Sequence, residues 1–163
     1  MTLRGALPSL AIVALALASI GGDCTLGGGG PMIVMPVHRP ANVDCGAATP
    51  VMDGTSLTVQ DTAEGSDTFA AACLGRAVGP VLYYEATIPA GATLTGTTSG
   101  PSSLRILSGC GASSCLASDA AKSSSGVTVA LTNASSSPLD VILAVGSAGA
   151  ADPGAFGLTI SIK

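Results

Sequence analysis

The sequence predicts an all-β chain: an antiparallel β-sandwich of jelly-roll-like character, with seven to eight strands behind an N-terminal signal helix. Three observations predict it. From Cys45 onward, apolar and polar residues alternate in short runs, the period-2 pattern of strands with one buried face. The runs recur about every ten residues and are punctuated by Gly, Ser, Asp and Pro. No stretch beyond the N-terminal segment carries a helical repeat.

Residues 1–23 read as an export signal, with Arg4 as the positive region, Leu7 to Ile20 as the apolar region, and small residues after it. A membrane span needs roughly 20 apolar residues, and Gly21, Gly22 and Asp23 end this run first. Residues 24–44 hold Gly27 to Gly30, several prolines and the sole histidine, His38, and predict a flexible tether. The domain proper is expected over 45–163.

Within it, Leu57 and Val59 alternate with Ser56, Thr58 and Gln60 as a first strand. Phe69 to Leu74 is assigned to a short strand, although its three alanines favour helix. The central segment is 79–98. There Leu82, Tyr84, Ala86 and Ile88 share one face and Val81, Tyr83, Glu85 and Thr87 the other, before Pro89-Ala90-Gly91 turns the chain. Leu94 with Ala92 and Gly96, Leu104 with Ile106, Val127 with Val129 and Leu131, Leu139 to Val145, and Phe156 to Ile162 give the remaining strands. Residues 118–125 read as a serine-rich turn.

Five cysteines in an exported chain leave one over. Cys24, just after the apolar run, is the odd one. Cys45, Cys73, Cys110 and Cys115 allow three pairings. Proximity favours Cys45 with Cys73 and Cys110 with Cys115, closures worth about 3.5 and about 2 kcal/mol by loop entropy. A zinc site is disfavoured because the cysteines lack a CxxC pair and an exported chain meets an oxidising compartment.

The chemistry of catalysis is sparse. His38 lies in the tether beside Arg39 and Pro40, and the serine runs contain no G-x-S-x-G elbow. Gly27 to Gly30 lacks the Lys-Ser/Thr of a phosphate loop. Asp53, Asp61, Glu64, Asp67 and Asp152 would offer oxygen ligands to calcium if gathered at one end of the sandwich, but their spacing is that of solvated loop carboxylates. Asn133-Ala134-Ser135 fits a glycosylation sequon. A net charge of −4 with six scattered basic residues excludes a nucleic-acid partner or an anionic membrane surface.

Cys24, followed by a glycine-rich stretch, resembles a bacterial lipoprotein signal. The resemblance implies a lipidated Cys24 as the membrane anchor, at the outer membrane or cell surface. Ordinary cleavage after Ala18 or Gly21 is the alternative, which leaves the product periplasmic or secreted. The segments Tyr84-Glu85-Ala86-Thr87-Ile88-Pro89-Ala90-Gly91, Ser103-Leu104-Arg105-Ile106-Leu107 and Gly154-Ala155-Phe156-Gly157-Leu158-Thr159-Ile160 resemble the bacterial pre-peptidase C-terminal domain. That resemblance implies a small exported sandwich accompanying a protease or another catalytic domain, although Ser102 and Ser103 stand where the family often places aspartate. The expected function is a non-catalytic binding module for an extracellular protein or polysaccharide. The alternative is a chaperone-like or pro-domain-like accessory to a separately encoded secreted protease. The expected contact surface is Tyr83, Glu85 and Thr87, with Thr95 and Thr97 as neighbours.

Overall fold

A computed structural model describes residues 40–65, 73, 80–120, 125–147 and 154–163. The export signal, Cys24, His38, most of the tether, most of the 69–74 strand, and Asp67 and Asp152 lie outside them.

The described residues form nine strands: β1 (Thr49–Pro50), β2 (Ser56–Asp61), β3 (Val81–Ile88), β4 (Thr93–Ser99), β5 (Ser102–Leu107), β6 (Ala117–Ala120), β7 (Thr128–Thr132), β8 (Leu139–Ser147) and β9 (Ala155–Ile162). They make two sheets, ordered β1-β3-β8-β5-β6 and β2-β9-β4-β7. The all-β sandwich is therefore as expected. Two elements are additions: β1, which pairs parallel to β3, and β6, drawn from the stretch read as a serine-rich turn.

The inward faces match the alternation in the sequence. Leu82, Tyr84, Ala86 and Ile88 of β3 meet Leu104, Ile106, Val141, Leu143 and Val145 of their own sheet and Leu94, Val129, Phe156, Leu158 and Ile160 of the other. Gly96 sits among them because space requires it: a Cβ there would lie 2.9 Å from a Leu104 methyl. Asn42 and Val43, in the segment assigned to the tether, are buried as well, so packing begins ahead of Cys45.

Almost every connection crosses between the sheets. Among the described residues, β5 and β6 are the one pair of consecutive strands that hydrogen-bond to each other. The Pro89-Ala90-Gly91 turn thus carries the chain from one sheet to the other. Gly91 has φ +76°, and the Ala92 N–H donates to the Pro89 carbonyl at 3.1 Å, which is a type II turn with glycine where a positive φ is required. Asn133 holds this turn. Its Nδ2 donates to the carbonyls of Ile88, Pro89 and Ser137 at 2.9, 3.1 and 2.8 Å, while its Oδ1 accepts from Ser135. With its amide occupied and the residue 2% exposed, Asn133 is a structural tie and offers no sequon nitrogen to a glycan.

On edge strand β2 the alternation breaks. The register shifts between Leu57 and Gln60, and Val59, expected inward, is 79% exposed with φ 56°. An extra residue in a bulge flips the side chain that follows it.

Candidate binding groove on the five-stranded sheet

The outward face of the five-stranded sheet consists of cross-strand rows fixed by register. Val81, Gly146 and Ser103 form one row, and Tyr83, Ala144 and Arg105 the next. Glu85, Ile142 and Leu107 form the third, and Thr87 stands opposite Asp140.

The first two rows are covered, together with Leu107 of the third. Val81, Tyr83, Leu107 and Ala144 pack with Ala48, Cys45, Cys73, Ala112 and Cys115 in a second apolar cluster. Two disulfides pin that layer. Cys45 pairs with Cys110 and Cys73 with Cys115, at Cα separations of 5.5 and 5.6 Å. This corrects the pairing drawn from proximity. Cys110 and Cys115 both lie on the β5–β6 connection, and each binds a different distant segment to the sheet, which nearness in sequence does not reveal. Disulfides persist in oxidising surroundings, so the folded chain belongs to an extracellular or periplasmic space. Among the described residues no helix is long and apolar enough to cross a membrane.

The cover also corrects the expected surface. Tyr83 is only 4% exposed, beneath the disulfide layer. Burial, and then the negative charge of Asp44, raise its pKa above the usual tyrosine value, while Arg105 acts in the opposite sense. Arg105 is buried too, with Nη1 donating to Ser103 Oγ at 3.0 Å, and burial lowers its pKa. Thr95 and Thr97 belong to β4, in the other sheet, and so cannot join Tyr83, Glu85 and Thr87.

Glu85 and Thr87 remain exposed, where the cover ends. With Asp140 they line an open groove of about 390 Å³, whose walls include Pro50, Val51, Ser108, Gly109 and Cys110. Thr87 Oγ1 donates to Asp140 Oδ1 at 2.6 Å, a cross-strand pair that fixes the carboxylate. The Val51 N–H donates to the Glu85 carbonyl at 2.8 Å and seats the Pro50–Val51 wall against β3. Two carboxylates and a hydroxyl on fixed strands accept hydrogen bonds and attract a cation. They do not form a nucleophile with an oriented base. Asp140 was not singled out from the sequence. Only the β3–β8 register brings it opposite Thr87, 53 residues away.

Of the carboxylates weighed as calcium ligands and read instead as solvated loop residues, Asp53 and Asp61 lie near opposite ends of β9. Asp53 Oδ1 accepts from the Ile162 N–H at 2.7 Å beside the last residue of β9, whereas Asp61 pairs with Ala155 at the first. Strand geometry puts those ends roughly 20 Å apart. Asp61 instead caps a short helical turn by accepting from the Ala63 N–H at 2.9 Å. Among the described residues, no group of three or more His, Cys, Asp or Glu side chains is placed to hold a metal ion.

Fold and groove together define a class: a disulfide-stapled β-sandwich of an extracellular or periplasmic setting, with a polar groove at the edge of a covered sheet face. Compared with protein-family models, curated proteins and solved structures, the chain matches none.

Proposed function

We propose that this chain is a non-catalytic binding or accessory module, exported and held at a bacterial envelope by lipid on Cys24. Its groove takes a cationic side chain of an extracellular protein partner. The observation that carries the reading is the grouping of Glu85, Thr87 and Asp140 as exposed polar walls of one groove on rigid strands. Binding elements on a stapled sheet lose little entropy on association, which suits recognition.

Titration of the mature protein with short lysine- and arginine-bearing peptides tests it. Glu85→Gln with Asp140→Asn should weaken binding about ten-fold or more, equivalent to 1.4 kcal/mol, and high salt should weaken wild-type binding by screening. Binding untouched by both changes would refute the groove. For the anchor, Cys24→Ser should move the protein from the membrane fraction to the soluble one. Retention of this variant in the membrane fraction would assign the attachment to something other than lipid on Cys24, and wild-type protein already in the soluble fraction would assign the export signal to ordinary cleavage.

A further inference from the structure

We propose that the Cys45–Cys110 disulfide is a redox strap that regulates the groove: closed, it holds the wall against which a cationic side chain binds, and opened by a protein dithiol it releases that wall. This rests on the groove reading above and names how that site is controlled.

The strap crosses the site. Cys45 stands just ahead of β1 and Cys110 just past β5, and β3 and β8 separate those strands in the sheet. Three strand steps span roughly 14 Å, yet the two Cα atoms are 5.5 Å apart, and Cys45 packs in the apolar cluster over Tyr83 of β3 and Ala144 of β8. Those two strands also carry Glu85, Thr87 and Asp140. Ser108, Gly109 and Cys110 line the groove. The Ala112 N–H donates to the Gly109 carbonyl at 3.1 Å, a bond local to the β5–β6 connection, whereas the disulfide ties this wall to the β1 side.

The two disulfides differ in access. Cys110 is exposed, whereas Cys73 and Cys115 are half-buried against the second apolar cluster. Glycines flank the first bond, Gly46 beside Cys45 and Gly109 and Gly111 beside Cys110, and a Cβ at any of the three would meet no atom within 4 Å. An incoming sulfur has room there. Exposed disulfides exchange more readily than buried ones, and a glycine-flanked wall gains much conformational freedom once cut.

The exchange needs a dithiol reductant. One of its thiolates attacks Cys110 Sγ, forms a mixed disulfide and expels the Cys45 thiolate, which takes up a proton. The second thiol of the reductant, deprotonated, attacks its own partner sulfur in the mixed bond and expels the Cys110 thiolate, which is protonated in turn. The reductant leaves as a disulfide, and two electrons and two protons have passed to Cys45 and Cys110.

Graded dithiothreitol on the mature protein tests the proposal, with alkylation and peptide mapping of one portion and binding of the lysine- and arginine-bearing peptides measured on the other. Cys45 and Cys110 should be alkylated at a lower dose than Cys73 and Cys115. With that one bond open, binding should fall about ten-fold as the pre-organised wall is lost, and return on reoxidation. Cys45→Ser with Cys110→Ser should bind as weakly without any dithiol. Should that pair fail to fold, the wild-type reduction series carries the test. Opening of Cys73–Cys115 first, binding unchanged once Cys45–Cys110 is open, or circular dichroism lost together with the binding would each overturn the regulation, the last by making the bond a structural staple only. Failure of the fully oxidised protein to bind any of the peptides would instead sink the groove reading, and the regulation with it.

Discussion

Tyr83 and Arg105 flank Ala144 in one cross-strand row that points away from the main core, yet they are only 4% and 3% exposed. The outward face of the five-stranded sheet is therefore a second interior, roofed by the layer that the two disulfides fasten. The exposed polar side chains of this face are displaced to the margin of the roof, where Glu85, Thr87 and Asp140 reach solvent.

Truncating either tyrosine should destabilise the fold comparably. Tyr84 fills the main core and Tyr83 the second cluster, so Tyr83→Ala and Tyr84→Ala should each cost about 3 to 5 kcal/mol by chemical denaturation. A loss below about 1 kcal/mol at Tyr83 would mean that the roof does not pack on it.

Non-reducing peptide mapping should recover Cys45 linked to Cys110 and Cys73 linked to Cys115. The bonded residues are 65 and 42 positions apart, so loop entropy gives each bond about 4 kcal/mol. Removing one as a Cys→Ser pair should lower stability by up to that amount. A Cys110–Cys115 peptide would contradict the roof.

Alkali should unfold the protein through its tyrosines. Burial raises the Tyr84 pKa to about 12, against a small opposing effect of its hydrogen bond with Asn42, while an unfolded tyrosine ionises near 10. The folded state then holds a proton that the unfolded state has released. The stability from this group is complete below about pH 10 and is lost as pH rises through about 12. Tyrosinate absorbance that rises together with loss of structure, and not before it, checks the sign. Tyr84→Phe should flatten this alkaline limb.

Val59 holds a left-handed backbone conformation with its side chain in solvent. A β-branched residue pays roughly 1 to 2 kcal/mol there, with no packing to offset it. Val59→Asn should therefore raise the thermal midpoint, by about 1 kcal/mol of stability. A lower midpoint would show that the bulge needs the valine methyls.

The alternation of small apolar residues determined a great deal by itself. A strand repeats every two residues whatever lies across from it, so the inward sets on β3, β7, β8 and β9 were legible one segment at a time. The expectation of an oxidising setting was equally local, drawn from the N-terminal apolar run and the cysteine count, and the two disulfides agree with it. Other features depend on pairing between distant segments, which no local period encodes. Tyr83 has the alternation of a surface residue, and only the roof over its row buries it. Thr97 follows Thr87 closely in sequence, yet the Gly91 turn sends them to opposite sheets, while Asp140, far away in sequence, arrives beside Thr87 through the β3–β8 register. Val59 turned outward because one extra residue in β2 reversed its face. Tertiary structure alone decided which cysteines meet and where the polar groups converge, because both follow from the order of strands within each sheet.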